Sequence, residues 1–300
     1  VAITDHGSMY GVIDFYKAAK AAEIKPIIGM EAYVAPRSLT EKVSKLDSNP
    51  HHLILLCKSL EGYLNLMRLS SIGHLEGFYY KPRVDKKTLK KYSKGLIATS
   101  ACLAGEIPRA LMSNDEAQAE KILNEYKDIF GEDFYLELQD HPDIRDQGIC
   151  NERLIALSKK TNTQLTVACD AHYVRKEDRS AHDVLVCVQT GKIVDDPNRM
   201  TYDGDFSLRD PKELYEVFKE VPEALANTQK IADMCELEIP FEENLLPEYK
   251  IEGKKTPDEY LKEQCLKGLP ERYKDVSKET EKQLMERLEY ELGVIARMGF

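Results

Sequence analysis

The sequence predicts an α/β protein, a barrel or wound sheet of alternating strands and helices that gives way after His172 to a mostly helical segment. Three observations predict it. Six short apolar runs bounded by turn-forming residues alternate with segments of helical period. Residue types that bind divalent cations, His6, Glu31, His52, Cys102, Asp170 and His172, recur at the edges of those runs. An open α/β framework gathers such residues at one end of its sheet. The length of 300 residues and the 42% hydrophobic content are enough for a real core, in one large domain or two ordinary ones.

Taken in order, the strands are expected at 1–4, 26–34, 53–57, 96–100, 134–138 and 165–169, in a mainly parallel sheet. Helices fill the gaps at 10–23, 60–72, 106–112, 115–130 and 147–161. The run holding Tyr135, Leu136 and Leu138 lies between Gly131 and Pro142, which fits a short buried strand better than a helix. After His172, helices are expected at 176–190, 211–220 and 222–235. Residues 241–257, rich in charge and carrying Pro247 and Pro257, read as a linker, and helices at 258–272 and 278–298 follow. The last of these places Leu288, Leu292 and Ile295 on one face and shows no C-cap. The chain opens on VAITDHG, a strand already in progress, and closes on a helical pattern, so both ends read as cuts in a longer sequence.

Composition narrows the function. Seven cysteines without a CxxC pair indicate neither a disulfide scaffold nor a zinc ribbon, and most read as reduced core thiols. A formal charge of −10 argues against a broad nucleic-acid-binding surface, so another part of the protein should hold most of any DNA. No run approaches the ~18 apolar residues of a membrane span, and no signal-peptide pattern opens the chain, which places it in the cytoplasm.

The metal-binding residue types carry the chemistry. In TDHG, Asp5 and His6 follow an apolar strand, and Gly7 permits the tight turn that leaves the imidazole at the strand edge. Alone, His6 serves equally well as a capping or core histidine. Glu31 sits inside PIIGMEAYV, where a carboxylate is costly to bury unless paired or bound to metal; a strand-end Glu facing solvent is the plainer alternative. His51 and His52 are strand neighbours, so at most one points into a site. Cys102 follows LIATSA, where a thiolate suits zinc and a lone Cys equally suits the core. Asp170 and His172 form a DxH after LTVAC, and alternate positions on an extended backbone point the same way. The alternative is a turn Asp beside an exposed His. His74, His141 and His182 lack comparable placement and stand outside the predicted site.

TDHG, GMEAYV, HHLILL, SACLAGE and CDAHYV, in this order, resemble the PHP (polymerase and histidinol phosphatase) family. More narrowly they resemble the uninterrupted form at the N-terminus of bacterial replicative DNA polymerase III alpha subunits. GFYYKPRVD at 77–85, CVQTGKIVDDPNRM at 187–200 and the closing ERLEYELGVIARMGF extend the resemblance over essentially the whole chain. It implies a distorted (β/α)7-type PHP barrel followed by a mostly helical segment leading towards a polymerase palm. The implied division is a PHP domain with helical extension over 1–240, a linker over 241–257 and the helical start of the palm over 258–300.

The implied ligands are His6, Glu31, His52, Cys102, Asp170 and His172, with His6, Asp170 and His172 in catalytic roles. His52 alone precedes its apolar run, whereas the other ligands mostly follow theirs. The family's first motif, an HxH followed by Asp, is expected upstream of Val1. The implied chemistry is phosphoester hydrolysis, in the polymerase setting 3′-to-5′ removal of a mispaired terminal nucleotide. Mixed His, Cys and carboxylate ligands fit zinc or manganese, with magnesium for the parent polymerase. Implied partners are primer-template DNA, deoxynucleoside triphosphates and replisome subunits such as the sliding clamp, with no membrane. Asp5 is expected to orient His6 or to shape its turn. Arg83 is a candidate phosphate contact, within a run from Lys81 to Lys94 that is either a DNA-facing patch or a solvated basic helix. A structural PHP module without turnover, and a free-standing phosphatase of the histidinol phosphatase type, are the alternatives; metal analysis separates the first from an enzyme.

Overall fold

A computed structural model describes residues 1–202, 204–241, 249–251 and 253–299. The chain divides into two compact units, Val1–Ile239 and Pro240–Phe300. Of the expected linker, residues 242–248 and 252 lie outside the described residues.

The first unit alternates strands and helices: β1 (Ala2–Ile3), α1 (Val12–Ala21), β2 (Ile27–Val34), β3 (His51–Cys57), α2 (Leu60–Leu75), β4 (Arg83–Val84), α3 (Lys86–Tyr92) and β5 (Leu96–Thr99) come first. Then follow α4 (Glu106–Met112), α5 (Glu116–Phe130), β6 (Phe134–Gln139), α6 (Arg145–Thr161) and β7 (Leu165–Ala168). Helices α7 (Arg179–Thr190), α8 (Pro211–Val217) and α9 (Pro222–Met234) complete it. The seven strands form one sheet in the order β1-β2-β3-β5-β6-β7, with β4 beside β2, the wall of a distorted α/β barrel.

The sheet is less uniformly parallel than expected. β1, β4 and β2 run together, as do β5, β6 and β7, but β3 is antiparallel to both its neighbours, β2 and β5. The cause is the connection: residues 35–50 hold turns and no helix, so the chain reverses after β2 instead of crossing over. This reversal brings the start of β3, not its end, to the sheet edge where β2 and β5 finish.

Strand alternation splits the buried side chains into two sets. Met30, Ala32, Leu53, Leu55, Ala98, Leu136 and Leu138 face the helices and pack with Val12, Leu66, Leu69, Ile107, Ile122 and Leu154 in the main core. On the opposite face Ile27, Leu56, Ile97 and Tyr135 form a smaller apolar plug, closed by Ile231 and Cys235. Nearer the other edge that same face turns polar, carrying Glu31, Thr99 and Glu137, all buried. A plug of this kind closes one end of the barrel and leaves the polar end for chemistry.

The short β4 was not expected from the sequence, whereas α3 lies in the Lys81–Lys94 run for which a basic helix was one of two readings. α3 begins where the Asp85 carboxylate accepts the Thr88 N–H at 2.8 Å, a regular N-cap. In the second unit, α10 (Pro257–Arg272) opens with a capping box in which Thr256 and Glu259 bond reciprocally, and Lys262 pairs with Glu289 of α11 (Lys278–Met298) at 2.7 Å. α11 is capped after all: Gly299, at φ 76°, directs its N–H to the carbonyls of Ile295 and Ala296.

Candidate metal centre

Six side chains from distant parts of the chain meet at the polar edge. Glu31 is at the middle, 4% exposed on β2. His6 Nδ1 lies 3.1 Å from its Oε2 and His52 Nδ1 2.7 Å from its Oε1. Among the described residues these three form the one group of His, Cys, Asp or Glu whose ligand atoms all lie within 4.8 Å of one another. Cys102 Sγ joins them, 3.7 Å from Glu31 Oε1 and 3.4 Å from His52 Nδ1. The His172 ring stands 5.9 Å from that of His6. Asp170 is close enough for its charge to act on His6 and Cys102.

Local backbone explains each placement. Gly7, at φ +62°, turns the chain directly after His6, and its N–H bonds the Glu31 carbonyl at 2.9 Å, which ties the His6 loop to β2. A Cβ on Gly7 would meet Pro82 Cγ at 2.7 Å and the Tyr33 ring at 2.9 Å. His52 is the second residue of β3, and the reversed direction of that strand brings it beside Glu31, which explains how a candidate ligand at the start of its strand reaches the same edge. His52 backbone N–H bonds Ala104 O at 3.2 Å, drawing the Cys102 loop against the same edge. Asp170 adopts the left-handed conformation at φ 45°. Its carbonyl accepts from His172 Nδ1 at 2.8 Å, which fixes that tautomer and leaves Nε2 with its lone pair.

The electrostatics suit a cation. Burial opposes ionisation of Glu31, yet the His52 hydrogen bond and the charges of His52, His6 and His172 outweigh it and hold the carboxyl below its usual range. Burial, reinforced by the Glu31 charge, pushes Asp170 up, and burial with the charges of Glu31 and Asp170 pushes the Cys102 thiol far up. Burial lowers His6. Acids raised by burial and by one another's charge, around donors that converge at one edge, are features a divalent ion reverses, so the residues present fit such an ion.

The structure corrects the reading of Arg83. Its side chain is fully buried, and Nε, Nη1 and Nη2 donate to four backbone carbonyls, those of Gly77, Leu39, Glu41 and Asp47, at 3.0–3.4 Å. No phosphate can reach it; Arg83 staples the loop between β2 and β3. Two lysines of the basic run around it are paired with carboxylates, Lys86 with Glu106 and Glu125 and Lys94 with Glu61. Lys81 is the member that reaches the metal edge, its Nζ 5.5 Å above the Tyr33 ring, which itself packs on His6 and His52.

Other neighbours of the site escaped the sequence reading. Glu137 is buried in the polar layer, bonded to Thr99 and to Gln139, and burial raises its carboxyl to about 7. His141 and His182, set aside on sequence grounds, flank the DxH: the His141 charge acts on Asp170, and the His182 ring lies 5.5 Å from that of His172. His74 Nε2 meets Gly7 O at 3.1 Å. The alternation of Glu137 and Gln139 within FYLELQ was the available signal, two polar residues on one face of an otherwise apolar strand. A surface cavity of about 650 Å3, lined by Lys58, Lys230 and Glu236 among others, adjoins the C-terminal end of β3, opposite to the metal edge.

Comparison with known proteins now bears on the family. Residues 1–141 match the PHP domain. The chain carries a PHP domain. His6, Glu31, His52 and Cys102 lie within the matched span of the PHP domain, and Asp170 and His172 follow it. Over its whole length the chain is similar to DNA polymerase III subunit alpha of Borreliella burgdorferi (47% identical), of Helicobacter pylori (42%) and of Aquifex aeolicus (41%). It spans about a quarter of those proteins, 26%, 27% and 27% respectively.

Proposed function

We propose that this PHP domain is a metal-dependent phosphoesterase that removes a mispaired 3′-terminal nucleotide from DNA, as part of a DNA polymerase III alpha subunit that synthesises DNA elsewhere in its length. The observation that carries the reading is Glu31, ionised and shared between His6 and His52 with Cys102 against it. His6, Glu31, His52, Cys102, Asp170 and His172 would hold zinc or manganese. Bound there, divalent ions polarise a phosphoester and acidify water. His172 presents a free Nε2 because its Nδ1 is committed to the Asp170 carbonyl. Glu31 orients both imidazoles at once, and the apolar plug keeps water from entering the barrel from the far end.

In this reading residues 1–240 are the PHP domain with its helical extension, 241–257 link it onward, and 258–300 begin the polymerase palm, which uses magnesium. Primer-template DNA, deoxynucleoside triphosphates and replisome subunits such as the sliding clamp are then the partners of the whole protein, in the cytoplasm. No described helix is long and apolar enough to cross a membrane.

The test is Asp170→Asn in the complete protein. Metal content by elemental mass spectrometry and the rate of 3′-to-5′ degradation of a mismatched primer should fall together, the rate by at least about 100-fold. Undiminished nuclease activity in a metal-free, ligand-substituted protein overturns the reading. Bound metal without nucleotide release from any 3′ end points instead to a structural module.

A further inference from the structure

A second cavity, about 510 Å3, opens beside His172 and has no role in the reading above. Its size falls in the range of small-molecule sites, ~300–1,000 Å3. Tyr173, Arg179, Ser180, His182, Thr201 and Tyr202 line it.

Two features point to its ligand. The first is position: the rings of Tyr202 and His182 stand 4.9 Å and 5.5 Å from that of His172 and 5.1 Å from each other. Two rings that line the cavity are therefore direct neighbours of the His172 ring. The second is charge. Arg179 and Arg199 are balanced by Glu177 and Asp183 in the same lining, and Arg199 is committed to the Asp183 carboxylate and to Val194 O. A balanced lining gives a second phosphate no net attraction. It offers instead two aromatic faces, two hydroxyls and the Arg179 guanidinium, which donates to Tyr202 O at 3.0 Å and so braces the ring-bearing segment. Aromatic faces with neutral hydrogen-bonding groups suit a sugar and a base.

We infer that this cleft receives the nucleoside part of the terminal nucleotide, its base against Tyr202 and His182 and its phosphate directed to the metal edge. The inference rests on the phosphoesterase reading for the direction of the phosphate, but the cleft's preference for a nucleoside is testable without it.

The experiment is calorimetric titration of the complete protein with three probes, deoxyadenosine 5′-monophosphate, deoxyadenosine and inorganic phosphate, each with and without manganese. His182→Ala and Tyr202→Ala should weaken the monophosphate and deoxyadenosine about tenfold. Inorganic phosphate should bind these variants as it binds the unaltered protein, and their manganese content should be unchanged. Arg179→Ala, at an exposed position, is the variant least able to disturb folding and should weaken the same two probes. Equal loss of all three probes would show that the cleft only shapes the metal centre and would overturn the inference, as would no loss of any. If manganese fails to bind at all, the phosphoesterase reading fails, and a deoxyadenosine affinity that still depends on His182 sustains the cleft on its own. If Asp170→Asn abolishes manganese binding while the cleft variants bind deoxyadenosine normally, the inference fails and the reading stands.

Discussion

Arg83 and Glu137 show how much a residue's meaning depends on neighbours that a sequence does not display. Arg83 stood in a run of lysines and read as a candidate phosphate contact, but its guanidinium is buried on four carbonyls. Arg83→Ala should leave those carbonyls unpaired and lower stability by about 3 kcal/mol in urea unfolding, with metal content retained in the fraction that folds. Glu137 lay hidden in an apolar run. Its folded value of about 7 exceeds the ordinary 4.5, so the folded state binds the extra proton between those limits and stability falls as pH rises through them. Glu137→Gln removes that dependence. In chelated protein the variant should gain up to about 3 kcal/mol over the parent at pH 8 and little at pH 4.5, read from melting curves at the two pH values. That the six candidate residues would share one edge was legible because strand edges collect such residue types, whereas Tyr33, Tyr202 and His182 were not legible, since nothing local marks an aromatic residue as the wall of a site.

At the level of elements, strand and helix positions followed from period and punctuation. α4 begins and ends at the expected Glu106 and Met112, and β6 extends its expected span only by Gln139. Direction did not follow. Alternation of side chains is the same for a strand running either way, so the reversal of β3 was invisible and His52 looked misplaced. β4 was missed, and α3 was left as one of two readings of its run, for a different reason: the charge of the run masked the Asp85 cap and the single core residue Leu89. The turn after His6 supplies a prediction at this scale. Gly7→Ala must hold a positive φ and push against Pro82 and Tyr33, so it should cost about 1–2 kcal/mol and displace the His6 loop from β2. Manganese affinity, measured by titration, should fall at least about tenfold, whereas the same substitution at Gly148, which has open space around it, should leave affinity intact.

For the molecule as a whole, the first unit holds both cores and every candidate ligand, so on the proposed reading ion binding and the folding of that unit should be one equilibrium. Manganese at 100 times its dissociation constant should stabilise that unit by about 2.7 kcal/mol, seen as a rise in its melting temperature that Asp170→Asn abolishes. The second unit, which contributes no candidate ligand, should melt at the same temperature with and without the ion. The reversed strand also bears on how the protein is made. With candidate ligands drawn from residue 6 through residue 172, and β3 held between partners that precede and follow it, no nascent chain can complete the candidate site until the DxH has left the ribosome. If the proposed centre binds its ion, capture should be a late event of synthesis, a chemical signal that the barrel has closed.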